Sequence, residues 1–206
     1  SGHDLEKQQR ADRLVRVAER SKDPDELMAV YRIVVLDKTA ADQFGSERSA
    51  KILHWLAKSK YTPLHLLPSL AAMGIEKIDQ GLVKNKNLPP EIVADFARRP
   101  EGKVHWNALS HPSLPIAVAR AAIKEDWEEG AIRDGGFYQR VAMRARCLLQ
   151  NKSLSGDLIR EIAETGNGYD EAIWRHDNTP PDVRLRLFGE NNDRPKPQAW
   201  TIGGRM

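Results

Sequence analysis

Apolar positions along this chain recur mostly at spacings of three and four and fall into short stretches: Ile92, Val93, Phe96, Ala97; Ile116, Ala117, Ala119, Ala122, Ile123; Leu158, Ile159, Ile162, Ala163; and Val183, Leu185, Leu187, Phe188. Such spacings put apolar side chains on one face of a helix. Each stretch follows a short polar phrase that usually ends on proline. The phrases read Asn85-Lys86-Asn87-Leu88-Pro89, His111-Pro112-Ser113-Leu114-Pro115, Asn151-Lys152-Ser153-Leu154-Ser155 and His176-Asp177-Asn178-Thr179-Pro180, with a weaker first copy at Ser59-Lys60-Tyr61-Thr62-Pro63. Their fourth residues, 62, 88, 114, 154 and 179, are about 26, 26, 40 and 25 apart, which is the self-similarity expected of a helical repeat.

A polar residue followed by proline is how one helix stops and the next begins. In Thr179-Pro180-Pro181-Asp182, Thr179 is expected to cap the free amides, Pro180 to take the first helical position and Asp182 to complement the positive helix end. A second helix per repeat is expected over Ile75 to Lys84, Lys103 to Ser110, Tyr138 to Gln150 and Tyr169 to Arg175. The first 58 residues read as three longer helices, Leu5 to Arg20, Asp25 to Asp37 and Ser46 to Lys58, with Asp23-Pro24 as a helix start.

The sequence thus predicts an all-α fold: a helical cap over 1–58, repeats over 59–188 with an insertion near 125–139, and an extended tail over 189–206. Two-helix units of this size cannot bury their apolar faces alone, and stacking them into an α-solenoid gives one continuous core.

The phrase and the shorter helix between phrases resemble the leucine-rich repeat variant family and, more loosely, HEAT-like short helical repeats, over about residues 56–188. That resemblance implies a right-handed superhelix and a surface for binding. Only His111-Pro112 carries proline at the second phrase position. The family's best-known member also holds a cysteine-ligated iron–sulfur cluster, which a chain with Cys147 as its single cysteine cannot build.

Composition narrows the function classes. Forty per cent hydrophobic and 30% charged residues suit a folded domain rather than a disordered chain. One cysteine excludes an internal disulfide and fits a reducing, cytoplasmic setting. No apolar run approaches the roughly 20 residues of a membrane span. The chain opens on Ser1-Gly2-His3, which reads as a tag remnant. His-Glu-x-x-His, paired cysteines, Gly-x-Ser-x-Gly and a phosphate-cradling glycine loop are all missing, so no cofactor, metal or catalytic group is expected.

Candidate sites are therefore contact surfaces. The insertion, with Glu125-Asp126-Trp127-Glu128-Glu129 ahead of Gly135-Gly136, is expected to form a partner-contacting loop with Trp127 as anchor. Arg140, Arg144 and Arg146 are read as a stripe that grips carboxylates or phosphates. Trp200, in the short apolar island of the tail, is expected to dock on a helical surface of this chain or of a second copy. His111 and His176 share a phrase position with Asn85 and Asn151, which points to bonding of helix-end carbonyls rather than metal binding.

The net charge of +3 is spread over 12 basic and 10 acidic residues in 1–60, 8 and 9 in 61–130, and 12 and 10 in 131–206. This even spread favours a protein partner. The alternative is a sequence-tolerant DNA or RNA binder using the arginine stripe with Arg98, Arg99, Lys103 and Arg175; a HEAT-like DNA glycosylase stands third.

Overall fold

The computed structural model describes residues 2–132, 138–165 and 169–189, with the side chains of 38, 40–43, 126–132, 138–142 and 188 left aside. Helices take up 72% of the chain and no strand occurs among the described residues, so the fold is all-α. No helix among those residues is long and apolar enough to cross a membrane. The chain divides into two compact units, 1–115 and 116–206.

Unit 1 begins with α1 (Gly2–Arg20) and α2 (Pro24–Tyr31). The Asp23 side chain caps α2 by accepting the Asp25 N–H at 2.9 Å, and Pro24 occupies the first turn, where a missing donor costs nothing. The apolar run Ile33 to Leu36 continues as a π-helical segment, Arg32–Leu36, closed by the Asp37 N–H on the Arg32 carbonyl at 2.9 Å. Helix α3 (Lys38–Lys58) begins earlier than its apolar pattern predicts and is broken at Gly45, whose φ of 76° suits glycine. There follow α4 (Leu66–Ala71), α5 (Glu76–Leu82), α6 (Pro90–Ala97) and α7 (Lys103–Leu109).

Helix α3 packs against both α1 and α5. The approach to α5 is close because Gly81 presents no side chain: a Cβ there would sit 2.3 Å from the His54 carbonyl oxygen and 3.3 Å from the Ala57 methyl. Gly81→Ala is therefore expected to lower stability by about 1–3 kcal/mol through overpacking. Alanine's better helix propensity makes the opposite prediction, and a denaturant titration of the variant separates the two.

Unit 2 holds α8 (Ile116–Ile132), α9 (Tyr138–Gln150), α10 (Gly156–Glu164), α11 (Asp170–Arg175) and α12 (Pro181–Phe188). Helix α8 packs on α9 and α10, and α11 on α9, α10 and α12. The acidic run Glu125 to Glu129 lies within α8 rather than in a loop, because nothing before Gly130 interrupts the helical pattern started at Ile116. The side chain of Trp127 and residues Gly135-Gly136 lie outside the described residues, as does the tail from 190 with Trp200.

Both double-proline starts begin one residue later than the sequence reading of Thr179-Pro180 places them. A residue before proline is driven out of the α region, so Pro181 holds Pro180 extended at φ −60°, ψ 142°, and Pro90 holds Pro89 at φ −57°, ψ 141°. Thr179 consequently caps nothing ahead of it. Its hydroxyl donates backwards to the Ile173 carbonyl of α11, as the Thr62 hydroxyl donates to Leu56 of α3 at 2.5 Å. Leu185, two residues from buried Val183 and so on the opposite side of α12, is 52% exposed.

Candidate functional site

All five phrases fold into one turn. In each, the fourth residue's N–H bonds the first residue's carbonyl: Thr62 to Ser59 at 3.2 Å, Leu88 to Asn85 at 3.0 Å, Leu114 to His111 at 3.1 Å, Leu154 to Asn151 at 3.0 Å and Thr179 to His176 at 3.1 Å. The first residue's side chain also accepts the third residue's N–H, through Ser59 Oγ at 3.3 Å, Asn85 Oδ1 at 2.9 Å, His111 Nδ1 at 3.0 Å, Asn151 Oδ1 at 2.9 Å and His176 Nδ1 at 3.2 Å. This is the side-chain mimicry of a backbone turn that Ser and Asn perform readily, here shared by histidine.

Those same side chains tie successive phrases together. Asn85 Nδ2 donates to Ala57 O and Ser59 O, both at 2.9 Å, and Asn87 Nδ2 to Lys60 O at 3.0 Å. His111 Nε2 bonds Asn85 O at 2.8 Å. In unit 2, His176 Nε2 bonds Asn151 O at 2.9 Å, while Asn178 Nδ2 reaches Lys152 O at 3.0 Å and Leu154 O at 2.9 Å. The interchange of Asn and His follows: either side chain offers one acceptor and one donor to the same two backbone groups.

At both histidines Nδ1 accepts from an amide and Nε2–H donates to a carbonyl, which fixes the orientation of the ring. Burial lowers the His111 pKa from its ordinary value, and the bond to Asn85 opposes this. The folded form then resists a proton that the unfolded chain accepts. Stability from this group is full above the ordinary histidine pKa and is lost as pH falls towards the depressed value, at up to about 1.4 kcal/mol per pH unit. His111→Asn is expected to keep the turn and lose this slope, which chemical denaturation at neutral and mildly acidic pH measures directly.

The arginines proposed from sequence are not one stripe. Positions 140 and 144 share a side of α9, whereas 146 lies about 200° around the axis from 144. Arg144 is half-buried and Arg146 exposed; the side chain of Arg140 lies outside the described residues. Arg99 is engaged inside unit 1, its Nη1 bonding Asp79 Oδ2 at 2.6 Å with the guanidinium 4.4 Å from the Phe96 ring centre. It is held by a carboxylate rather than offered to phosphate. Arg98 faces Asp95 at 3.5 Å and Arg175 pairs with Glu171 at 2.5 Å, while Lys103 is exposed at the start of α7. Trp55, Trp106 and Trp174 are all half-buried. Unit 2 also carries an open cleft of about 300 Å³ lined by Arg120, Ile123, Lys124, Glu161, Glu164 and Thr165, in which Arg120 Nε lies 2.9 and 3.2 Å from the two Glu161 oxygens.

The basic residues that the structure does bring to one edge are Lys58 and Lys84, each just before one of the first two phrases of unit 1, and Lys60 and Lys86, at the second position of each. The cross-phrase bonds from Asn85 and Asn87 lay residues 85–87 beside 57–60. Lys60, Lys84 and Lys86 are exposed, and Lys58 is half-buried with its ammonium 4.8 Å from the Trp55 ring centre. A sequence signal for this edge exists: residues 48–75 and 80–90 contain no Asp or Glu. Comparison with protein-family models, with curated proteins and with solved structures found no match for this chain.

Proposed function

We propose that this chain is a non-catalytic binding scaffold, an α-solenoid of short two-helix repeats of the leucine-rich repeat variant or HEAT-like kind, that offers an edge to a macromolecular partner. The observation that carries this reading is the recurrence of one hydrogen-bonded turn at all five phrases, with a side chain of the second, third and fifth bonded to the phrase before. Repetition of a turn that consumes its own polar groups builds a regular stack with open edges, and such stacks serve as extended contact surfaces. Two features add to it: within α6, α7 and α10 the buried side chains are almost all apolar, and the polar residues that are buried cluster at the turns, as Asn85, His111, Asn151 and His176 do.

The test is affinity capture from native lysate on the immobilised chain, with and without nuclease. A retained macromolecule, protein or nucleic acid, is the expected result. A chain that is folded by circular dichroism and retains nothing under either condition overturns the reading.

A further inference from the structure

The lysine edge of unit 1 is carried by two segments that contain no Asp or Glu, residues 48–75 and 80–90. Several arginines are matched with carboxylates: Arg48 with Asp4 at 3.3 Å, Arg98 with Asp95, Arg99 with Asp79, Arg120 with Glu161, Arg160 with Asp157 and Asp182, and Arg175 with Glu171. Lys58, Lys60, Lys84 and Lys86 form no ion pair among the described residues. Their nearest partners of note are aromatic, Trp55 for Lys58 and Tyr61, at 5.1 Å, for Lys60.

The arrangement follows from the repeat. Lys58 and Lys84 stand at one repeat position and Lys60 and Lys86 at another, so stacking the phrases brings like charge beside like charge. Four lysines carried on adjacent stretches of backbone repel one another, and carboxylates in either segment would relieve that repulsion. None stands between Arg48 and Ile75, or between Gln80 and Pro90. An anionic partner supplies what the chain withholds.

The chemistry of the edge selects among anions. Lysine acts as a point charge on a flexible stem and lacks the fork that recognises a single carboxylate bidentately. A row of such charges suits a polymer with regularly repeated phosphates, where each contact releases a counterion and no base is read. Half-buried Trp55 and Tyr61 beside the lysines add π-faces of the kind that nucleobases stack on. We propose that this turn edge, through Lys58, Lys60, Lys84 and Lys86, binds the phosphodiester backbone of nucleic acid without sequence preference. The assignment rests on the scaffold reading above and names the partner class for one of its edges.

Fluorescence anisotropy with short labelled DNA and RNA oligonucleotides, single-stranded and duplex, tests it on the full chain across a salt series. Binding is expected at low salt for oligonucleotides of unrelated sequence, with the logarithm of affinity falling against the logarithm of salt at a slope of roughly −3, about 0.7 to 0.9 for each phosphate contact. The variant K58Q/K60Q/K84Q/K86Q is expected to flatten that slope almost completely, and K58R/K60R/K84R/K86R to retain it. The pairs K58Q/K60Q and K84Q/K86Q, each removing about half the slope, decide the matter if the fourfold change disturbs folding. Substitution of Arg140, Arg144 and Arg146 by glutamine is expected to leave it unchanged. An absence of oligonucleotide binding at low salt overturns the proposal, and the lysate experiment then shows whether the scaffold reading falls with it or keeps a protein partner. Equal binding by the glutamine variants overturns it as well, as does competition by polyglutamate or anionic vesicles that matches the oligonucleotides.

Discussion

Arg99→Met is expected to cost about 3 kcal/mol, the lower end of what removal of one partner from a buried pair costs. Asp79 sits inside unit 1 with its side chain only 1% exposed, and the guanidinium of Arg99, itself 35% exposed, is its only salt-bridge partner among the described residues. Burial already raises the Asp79 carboxyl above its ordinary pKa; the hydrogen bond and charge of Arg99 pull it back down, and Glu76 pushes it further up. Removing Arg99 takes away both lowering influences.

The sign of the pH dependence is opposite to that of an ordinary paired carboxylate. A raised folded-state pKa means that the folded chain holds the proton more tightly, so stability falls as pH rises through the raised value. The deficit of Arg99→Met is therefore expected to be largest at neutral pH and to shrink on acidification. Asp79→Asn placed in the same background should recover most of the loss, because a neutral amide carries no buried charge. Denaturant titrations of the two single variants and the double variant, run at two pH values, give the coupling directly. Additive single-site losses would mean that the pair contributes nothing.

Asn85→Ala is the second large effect, about 3 kcal/mol. Asn85 is 1% exposed and its side chain makes three bonds: to the carbonyls of Ala57 and Ser59, and from the N–H of Asn87. Each lost bond is worth about 1 kcal/mol, more where the group left behind stays buried. Asn85→His is expected to lose much less, since histidine already performs this task at 111 and 176. Asn85→Asp retains the shape and the acceptor but turns a carboxylate towards two carbonyl oxygens, so its loss at neutral pH should exceed that of alanine. Thermal melts of the three variants check the order. If His proves as damaging as Ala, the equivalence of the two side chains in these turns is wrong.

How far the sequence speaks differs from element to element. Most helices of the repeats were readable to within a residue or two, because apolar spacing and proline mark them independently, and α9 runs from Tyr138 to Gln150 as its pattern predicts, whereas α4 went unpredicted and α8 continues to Ile132 through the stretch read as a loop. Helix α3 was legible only from Ser46, since Thr39-Ala40-Ala41-Asp42 has no apolar stripe and Gly45 stands between. That His111 and Asn85 do the same work was legible from their shared position. That the carbonyl reached by His111 belongs to the preceding phrase was not, because the bond spans 26 residues and leaves no local trace. Asp79 and Arg99, 20 residues apart, likewise carry no pattern that pairs them. The lysine edge was hidden by averaging: residues 1–60 are nearly balanced because Asp and Glu of the first helices offset lysines that lie at its far end. Charge acts over roughly a Debye length, not over sixty residues of chain, so the window in which it is counted decides what is seen.

The bonds between phrases also have a direction. Within unit 1 the Asn85 and His111 side chains donate to backbone made earlier, Ser59 and Asn85 respectively, and within unit 2 the His176 side chain does the same towards Asn151. A chain leaving the ribosome amino end first thus presents each new turn with an acceptor that already exists, so no side-chain donor has to wait for backbone not yet made.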